Sequence, residues 1–276
     1  MELKTYYWYH RIVPNWKLKL RHIVFRDSHK YFAIGNAGDI FAKDIIQRRY
    51  GVTPVNANSI DGGRLLLIGS VSHRVQHGDI LCGIGTQGKA AELPKKNNVK
   101  ILGLRGPITY DEFRGKGYDL SRVRFLLDPG LLVRFMYQDD TIQPETGSVA
   151  FIPHYKERGH YRKLPKSIRL IDIDDYPSNV CRQIQEVEHV FSSSLHGVIF
   201  AHALGRPATL VTPKTESLLK YKDYYASVGL DFPVPLREFN GNEMSGLKTS
   251  PEHLVYREED FAFPDLNTLV AQGVVG

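Results

Sequence analysis

The chain has 276 residues, 42% of them hydrophobic, which is enough to bury one large core or two modest ones. A net charge of +6 and a pI near 9.1 favour acidic partners. The basic residues form no polybasic block, so we expect no nucleic acid among those partners. No signal peptide, transmembrane run or disulfide framework is visible, and the cysteines are Cys82 and Cys181. We therefore expect a cytoplasmic protein in a reducing compartment.

The N-terminal segment 4–22 mixes aromatic and basic side chains. Such a mixture suits peripheral contact with an anionic membrane, and an edge strand with an exposed basic side explains it equally well. The aromatic residues are Tyr6, Tyr7, Trp8, Tyr9 and Trp16, and the basic ones are Lys4, His10, Arg11, Lys17, Lys19, Arg21 and His22.

Further along, short apolar runs alternate with helical patterns. This alternation predicts a doubly wound sheet of strands and helices. In the first half the predicted strands are 31–35, 64–70, 79–88 and 99–106, and the predicted helices are 40–50 and 107–114. In the second half the predicted strands are 148–155, 169–173, 189–191 and 207–211, and the predicted helices are 176–187, 195–204, 215–228 and 265–272.

The polar segment 138–147, with its Pro and Gly, is the best candidate for a linker between the halves. We therefore predict two Rossmann-like domains, 1–145 and 146–276, that face a central cleft. The last helix is expected to pack back on the first domain.

Polar or flexible residues follow most of the predicted strands, where open α/β sheets bind ligands. His196 stands out because the serine-rich turn 192–194 places it in the first turn of a helix, where backbone N–H groups and the helix dipole favour an anion. A role in capping that helix is the competing interpretation. The strand-end residues are Asn36, Asp39, Ser70, His73, Gly85 to Gly88, Arg105, His154 and His196.

Other chemistries have weaker support. The stretch GNAGD (35–39) lacks the spacing of a dinucleotide fingerprint or a P-loop, and no G-x-S-x-G elbow marks a serine nucleophile. His196 and His202 lie six residues apart, so they face different ways on a helix, and we expect no metal site.

Several motifs together resemble the polysaccharide pyruvyltransferase family, and most closely its short bacterial members that decorate exopolysaccharides and capsules. The resemblance covers roughly residues 30–230. The motifs are GNAGD, LIGSVSH, GIGTQGK, LRGPIT, DPGLL, FIPHY, SSSLHGVIFAHALGRPA and KYKDYY, in that order. The resemblance implies a fold similar to GT-B glycosyltransferases. It also implies transfer of the enolpyruvyl unit of phosphoenolpyruvate to a sugar as a cyclic ketal, with phosphoenolpyruvate as co-substrate and no cofactor.

This chemistry assigns expected roles to the marked residues. We expect His196 to donate a proton to the donor's methylene carbon, with His154 and Asp39 as further acid, base or orienting groups. The donor's charges are expected to contact Arg105, Lys220, Asn36, Ser194 and Gly197, and the acceptor is expected to contact His73 and Gln87. Many relatives carry an arginine where this chain has Ser194, and the bases that would compensate are Lys220, Lys222, Arg206 and Arg105.

Two other functions remain open at this stage. A GT-B glycosyltransferase using a nucleotide sugar would share the fold and the basic cleft. A non-catalytic glycan-binding module would keep the scaffold alone, and the absent arginine keeps this reading open. The acceptor implied by the resemblance is a lipid-linked oligosaccharide or another glycan, held at the inner face of the membrane.

Overall fold

The structure is a computed structural model, and two parallel sheets with flanking helices form its frame. It describes residues 1–8, 11–14, 16–17, 31–57, 63–92, 98–158, 161, 164–241 and 250–276.

The first sheet is parallel throughout and has the strand order β4-β1-β5-β6-β7-β8 within the described residues. Its inner strands β5 and β6 are short, apolar and fully buried, as parallel strands between helices are, whereas the edge strand β4 is partly exposed. A separate parallel pair joins β2 to β3. The bounds in this half are β1 Glu2–Thr5, β2 Arg11–Ile12, β3 Tyr31–Phe32, β4 Thr53–Asn56, β5 Leu65–Leu66, β6 Ile80–Cys82, β7 Lys100–Leu104 and β8 Phe125–Leu126.

The second sheet is also parallel, with the order β10-β9-β11-β12. Its central strands, β9 and β11, carry the segments that lead into the predicted site. The strands are β9 Glu145–Ile152, β10 Ile168–Leu170, β11 Val187–Ser192 and β12 Ala208–Leu210.

The helices begin and end at recognisable signals. Asn36 caps the first helix by accepting a hydrogen bond from Gly38 N at 3.1 Å, and Gly51 ends it in the left-handed region with a φ of 65°. Pro107 and Pro177 each open a helix at its first turn. The helices are α1 Ala37–Tyr50, α2 Pro107–Gly115, α3 Val133–Tyr137, α4 Pro177–Gln185, α5 Leu195–Ala203, α6 Leu219–Ser227 and α7 Leu266–Ala271.

The largest hydrophobic cluster contains residues from both sheets and from the helices between them. Phe41 of α1 and Phe200 of α5 meet edge to face, with ring centroids 5.8 Å apart. Every residue of α5 is buried, as its apolar sequence predicts. The predicted α/β fold with parallel sheets is thus confirmed, and the two-domain cleft with its boundary at residue 145 stays a prediction.

Some strands and helices have other bounds than the sequence predicts. The predicted strand 31–35 stops at Phe32, because the N–H groups of residues 33–35 donate to a carboxylate instead of a strand. The predicted helix 215–228 begins only at Leu219. After α7 the backbone pairs with β1, since Lys4 N donates to Val274 O and Glu2 N to Gly276 O, both at 2.9 Å.

In the part of the chain that is described, no helix is both long and apolar enough to cross a membrane.

Candidate active site

A cavity of about 390 Å³ lies at the carboxyl ends of strands from both sheets. Eight of the predicted site residues line it, and most of them follow strands, as expected for parallel sheets, which bind ligands at the carboxyl ends of their strands. Those eight are Asn36, Asp39, His73, Gln87, His154, Ser194, His196 and Lys220; the remaining lining residues are Trp8, Ser70, Val71, Lys89, Tyr155, Lys156, Leu195 and Glu216.

The loop before α1 is shaped by Asp174, a carboxylate from the other half of the chain. Its oxygens accept hydrogen bonds from the backbone N–H groups of residues 33–35, at 2.8–3.1 Å. The side chain of Arg158 also donates to Asp174, at 2.9 Å, and both side chains are almost fully buried. This charged anchor fixes the backbone that presents Asn36 and Asp39 to the cavity.

His196 lies where the sequence predicts it, in the first turn of α5 and 7% exposed. It packs directly on Gly38 of α1, because a Cβ at Gly38 would come within 2.0 Å of His196 Nδ1. On its other side, Nε2 faces Asp128 Oδ1 at 3.8 Å. Asp128 Oδ1 also accepts from Gly130 N at 2.7 Å, so the carboxylate caps its own turn while it faces the histidine.

Burial controls the protonation of this pair. It lowers the pKa of His196 below its usual 6.5, and Asp128 and Asp39 only partly oppose that effect. Burial also raises the pKa of Asp128, against the opposing pull of His196 and Arg105. Nε2 of His196 and Oδ2 of Asp128 are buried without a hydrogen-bond partner among the described residues. Nε2 therefore has no access to solvent, and Nδ1 lies on the side of Gly38.

The basic side of the cavity is built around Glu216, which sequence reasoning missed. Lys156 donates to one of its carboxylate oxygens, and Lys220 Nζ lies 3.5 Å from the other. Lys220 is also 3.4 Å from His154 Nε2. Burial lowers the pKa of Lys220, although Glu216 opposes the shift. Burial alone would raise the pKa of Glu216, but Lys220 and Lys156 hold it below its usual range.

The serine turn serves mainly to hold the backbone. Ser192 Oγ donates to backbone carbonyls of Ile152 and Ser194, and Ser193 Oγ donates to the buried carboxylate of Glu157 at 2.8 Å. Ser193 Oγ also accepts from His154 N at 2.9 Å, which ties the two strand ends together. Ser194 occupies the N-cap of α5 without a side-chain capping bond, and it lines the cavity.

Arg105 does not line the cavity but lies behind it, with no exposed surface. Its guanidinium donates to Asp223 at 2.9 Å, to Ser70 Oγ at 2.7 Å and to the Thr86 carbonyl at 2.8 Å. The group therefore joins α6 to two loops of the first sheet. Its hydrogen bond to Ser70 links it to a residue that lines the cavity.

Gly197 is also absent from the cavity wall. A Cβ there would come within 2.3 Å of Ser192 Oγ and 3.0 Å of Ile152, so the glycine lets α5 pack closely on the strands. Its predicted contact with the donor stays untested.

Signals for several overlooked lining residues are present in the sequence. Glu216 and Lys220 stand four apart on the approach to a helix, a spacing typical of ion pairs. Lys156 and Lys89 each follow a predicted site residue by two positions, whereas the strand before Trp8 is not among the predicted strands.

Among the described residues, no three His, Cys, Asp or Glu side chains converge in a way that could hold a metal ion. The expectation that no metal takes part remains a prediction.

The depressed pKa of His196 makes stability depend on pH. In the unfolded chain His196 has a pKa near 6.5 and binds a proton at a higher pH than it does in the folded protein. The free energy of unfolding therefore falls as pH drops through 6.5 and below. We expect His196→Gln to lose less stability than the parent between neutral pH and pH 5. Urea unfolding at a series of pH values measures this, and parallel losses in the two proteins would contradict it.

Arg105→Lys keeps the charge but cannot make three separate contacts. We expect it to lower the free energy of unfolding by about 2 kcal/mol, since buried hydrogen bonds to charged groups are lost. Donor use should fall with it, because Ser70 loses its partner. Urea unfolding and donor kinetics, with Asp223→Asn as the matched variant, test this. Weakened donor use at unchanged stability would instead indicate direct contact between Arg105 and the donor.

Parallel strands covered by helices, with a polar cavity at their carboxyl ends, define an α/β protein of Rossmann-like type. The chain belongs to the polysaccharide pyruvyl transferase family, whose model matches residues 2–215. The family is one of transferases, and the resemblance found in the sequence motifs is confirmed.

Two individual proteins are similar to this chain, and both are uncharacterized. A protein of Acanthamoeba polyphaga mimivirus is 26% identical over 216 residues, which are 74% of this chain and 74% of that protein. The crystal structure of a protein from Klebsiella pneumoniae subsp. pneumoniae is 17% identical in sequence. The match covers 77% of this chain and 94% of the Klebsiella chain, with a TM-score of 0.42.

Proposed function

We propose that this protein is a ketal pyruvyltransferase that uses phosphoenolpyruvate and acts on a sugar of a lipid-linked oligosaccharide or related glycan. The observation that carries the proposal is one cavity that holds His196, backed by Asp128, together with the lysines that flank Glu216. A GT-B-like arrangement of two Rossmann-like domains belongs to the same proposal. It is supported by cavity residues that come from both sides of residue 145.

The donor carries a phosphate and a carboxylate, so its site needs cations and N–H donors. Lys220, Lys156 and the first turn of α5 at Ser194 supply these groups at the cavity wall. Glu216 accepts from the lysines in the free protein. A bound anion would compete with Glu216 for the same ammonium groups, which makes this the phosphate end of the site.

In the proposed reaction His196 donates the Nδ1 proton to the methylene carbon of the donor, which becomes the methyl group of the product. The neighbouring carbon becomes oxocarbenium-like and is attacked by two sugar hydroxyls in turn. The carbon–oxygen bond to phosphate breaks, and inorganic phosphate leaves. Of the two hydroxyl protons, one restores His196 and one leaves with the phosphate. Asp39 and His154, both in the cavity wall, would take up these protons first and pass them on to His196 and to the phosphate.

The test is donor use. Incubation with phosphoenolpyruvate and simple glycosides should release phosphate and add the mass of a pyruvyl ketal to the sugar. A glycosyltransferase would instead release nucleoside diphosphate from a sugar nucleotide, and that result would overturn the proposal. Stabilisation of the fold by phosphoenolpyruvate in a melting assay separates a donor site from an inert scaffold.

We also propose that the protein associates peripherally with the inner face of the membrane. Tyr6 and Tyr7 are buried and Trp8 lines the cavity, whereas Trp16 is 64% exposed with Lys17 Nζ 5.2 Å from its ring. The predicted contributions of Tyr9, His10, Lys19, Arg21 and His22 lie outside the described residues.

We expect weak binding to anionic vesicles that is lost as salt rises, since each base near such a surface adds about 1 kcal/mol. Trp16→Ser should weaken the binding without changing turnover of a soluble acceptor. Cosedimentation with vesicles at several salt concentrations measures it. Absence of binding at every concentration would remove the membrane from the proposal.

A further inference from the structure

Trp8 brings a large aromatic side chain into the wall of the cavity. β1 ends at Thr5, and the two residues that follow, Tyr6 and Tyr7, are 2% and 7% exposed. Trp8 is then half-buried and lines the cavity. The carboxyl end of an interior strand therefore delivers the indole to the same edge as the other site residues.

The indole lies against a rigid support. The guanidinium of Arg74 is 5.5 Å from its ring centroid, and the His73 ring is 6.4 Å away with 53° between the planes. The turn that carries both residues is anchored from beneath, because Arg74 O accepts a hydrogen bond from Arg64 at 2.7 Å. Arg64 is 1% exposed and forms a buried ion pair with Asp79.

Trp8 shares the cavity with other residues from the first half of the chain. His73, Gln87 and Ser70 line it with groups that both donate and accept hydrogen bonds, and Asp39 and Lys89 line it with charged groups. A sugar ring has an apolar C–H face and a rim of hydroxyls. A flat aromatic surface and hydrogen-bonding side chains in one cavity match both parts of it.

We propose that Trp8 is the platform on which the acceptor's sugar ring stacks, with His73 and Gln87 bonded to its hydroxyls. That this sugar is an acceptor rests on the proposed function. That the cavity binds a sugar at Trp8 does not depend on it. Trp8 then acts in substrate recognition, and not as a membrane contact.

The chain offers its own reporter, because Trp8 and Trp16 are its only tryptophans. Trp16→Phe leaves emission from the cavity alone, and Trp8→Phe is the matched control that leaves only Trp16. Both are titrated with the methyl glycosides of glucose, galactose, mannose and N-acetylglucosamine, with phosphoenolpyruvate present. Saturable change in the Trp8 emission with at least one glycoside, and none in the Trp16 emission, is the expected result. A Trp8 emission that responds to none of them overturns the proposal.

Kinetics with the most responsive glycoside complete the test. Trp8→Ala should raise the acceptor KM about tenfold, since a well-packed aromatic anchor contributes more than 1 kcal/mol. Trp8→Phe should raise it less, and Trp16→Ala should leave it unchanged. The KM for phosphoenolpyruvate should be the same in all three. An altered donor KM with an unaltered acceptor KM would overturn the assignment. Phosphate release that fails in the parent, with Trp8 still responding to sugar, would refute pyruvyl transfer alone.

Discussion

Replacing His196 with glutamine should lower turnover by about a hundredfold or more while the protein stays folded and still binds phosphoenolpyruvate. The reason is that glutamine can hydrogen-bond in the same space but cannot donate a proton to carbon. His196 contacts Gly38 and faces Asp128, so the substitution removes the acid and leaves the lysines around Glu216 in place. Phosphate release and donor-induced thermal stabilisation measure the two halves of this prediction.

The pH profile adds a second signature of His196. Since burial lowers the pKa of His196, kcat/KM should fall as pH rises through a value below 6.5, and this dependence should vanish in His196→Gln. His202→Gln is the matched control, because His202 is also buried on α5 and bonds Tyr224 OH at 3.0 Å, outside this cavity. Near-normal turnover in His196→Gln would return His196 to a packing role at the helix start.

Lys220→Ala should lower kcat/KM for phosphoenolpyruvate by about a hundredfold, because it removes a nearly buried positive charge from the phosphate end of the site. Glu216 would keep only Lys156 as its partner, which makes the site more repulsive to an anion. Lys222→Ala is the control: Lys222 lies on the same helix but is exposed and outside the cavity. Equal effects of the two substitutions would show that the charge acts at long range only.

A second substitution tests whether Lys220 replaces the arginine that many relatives carry. Ser194 lines the cavity at the N-cap of α5 with no capping bond to lose. Ser194→Arg should therefore recover part of the donor use lost in Lys220→Ala. Failure to recover any, in a double variant that unfolds at the same urea concentration as Lys220→Ala, would argue against compensation.

Reasoning from the sequence located most of the cavity because parallel topology is a strong constraint. Once strands such as β9 and β11 are recognised, the residues after them must meet at one edge, and His154 and Ser194 do so. Glu216 and Trp8 follow a different logic. The spacing of Glu216 from Lys220 indicates an ion pair, and Trp8 follows a strand that the sequence pattern does not reveal, so only the tertiary structure shows that both line the cavity.

Arg105 and Gly197 belong to motifs and are predicted to contact the donor, but neither lines the cavity. A motif marks both residues that meet a ligand and residues that hold the scaffold, and sequence spacing does not separate the two. Gly197 allows α5 to approach Ser192 closely, and Arg105 is occupied by Asp223, Ser70 and Thr86. Asp223 is 118 residues further along the chain, which no local pattern predicts.

That separation has a consequence for the order in which the protein is made. All strands of the first sheet lie within residues 2–126, so that sheet can pair while the rest of the chain is still being synthesised. Arg105, however, has no carboxylate until Asp223 leaves the ribosome, nearly a hundred residues later than the last of those strands. Until then the guanidinium of Arg105 lacks its counter-ion, and its contacts with Ser70 and Thr86 are not held in place by α6. Ligand binding is therefore a late event in the life of the nascent chain, coupled to the arrival of α6.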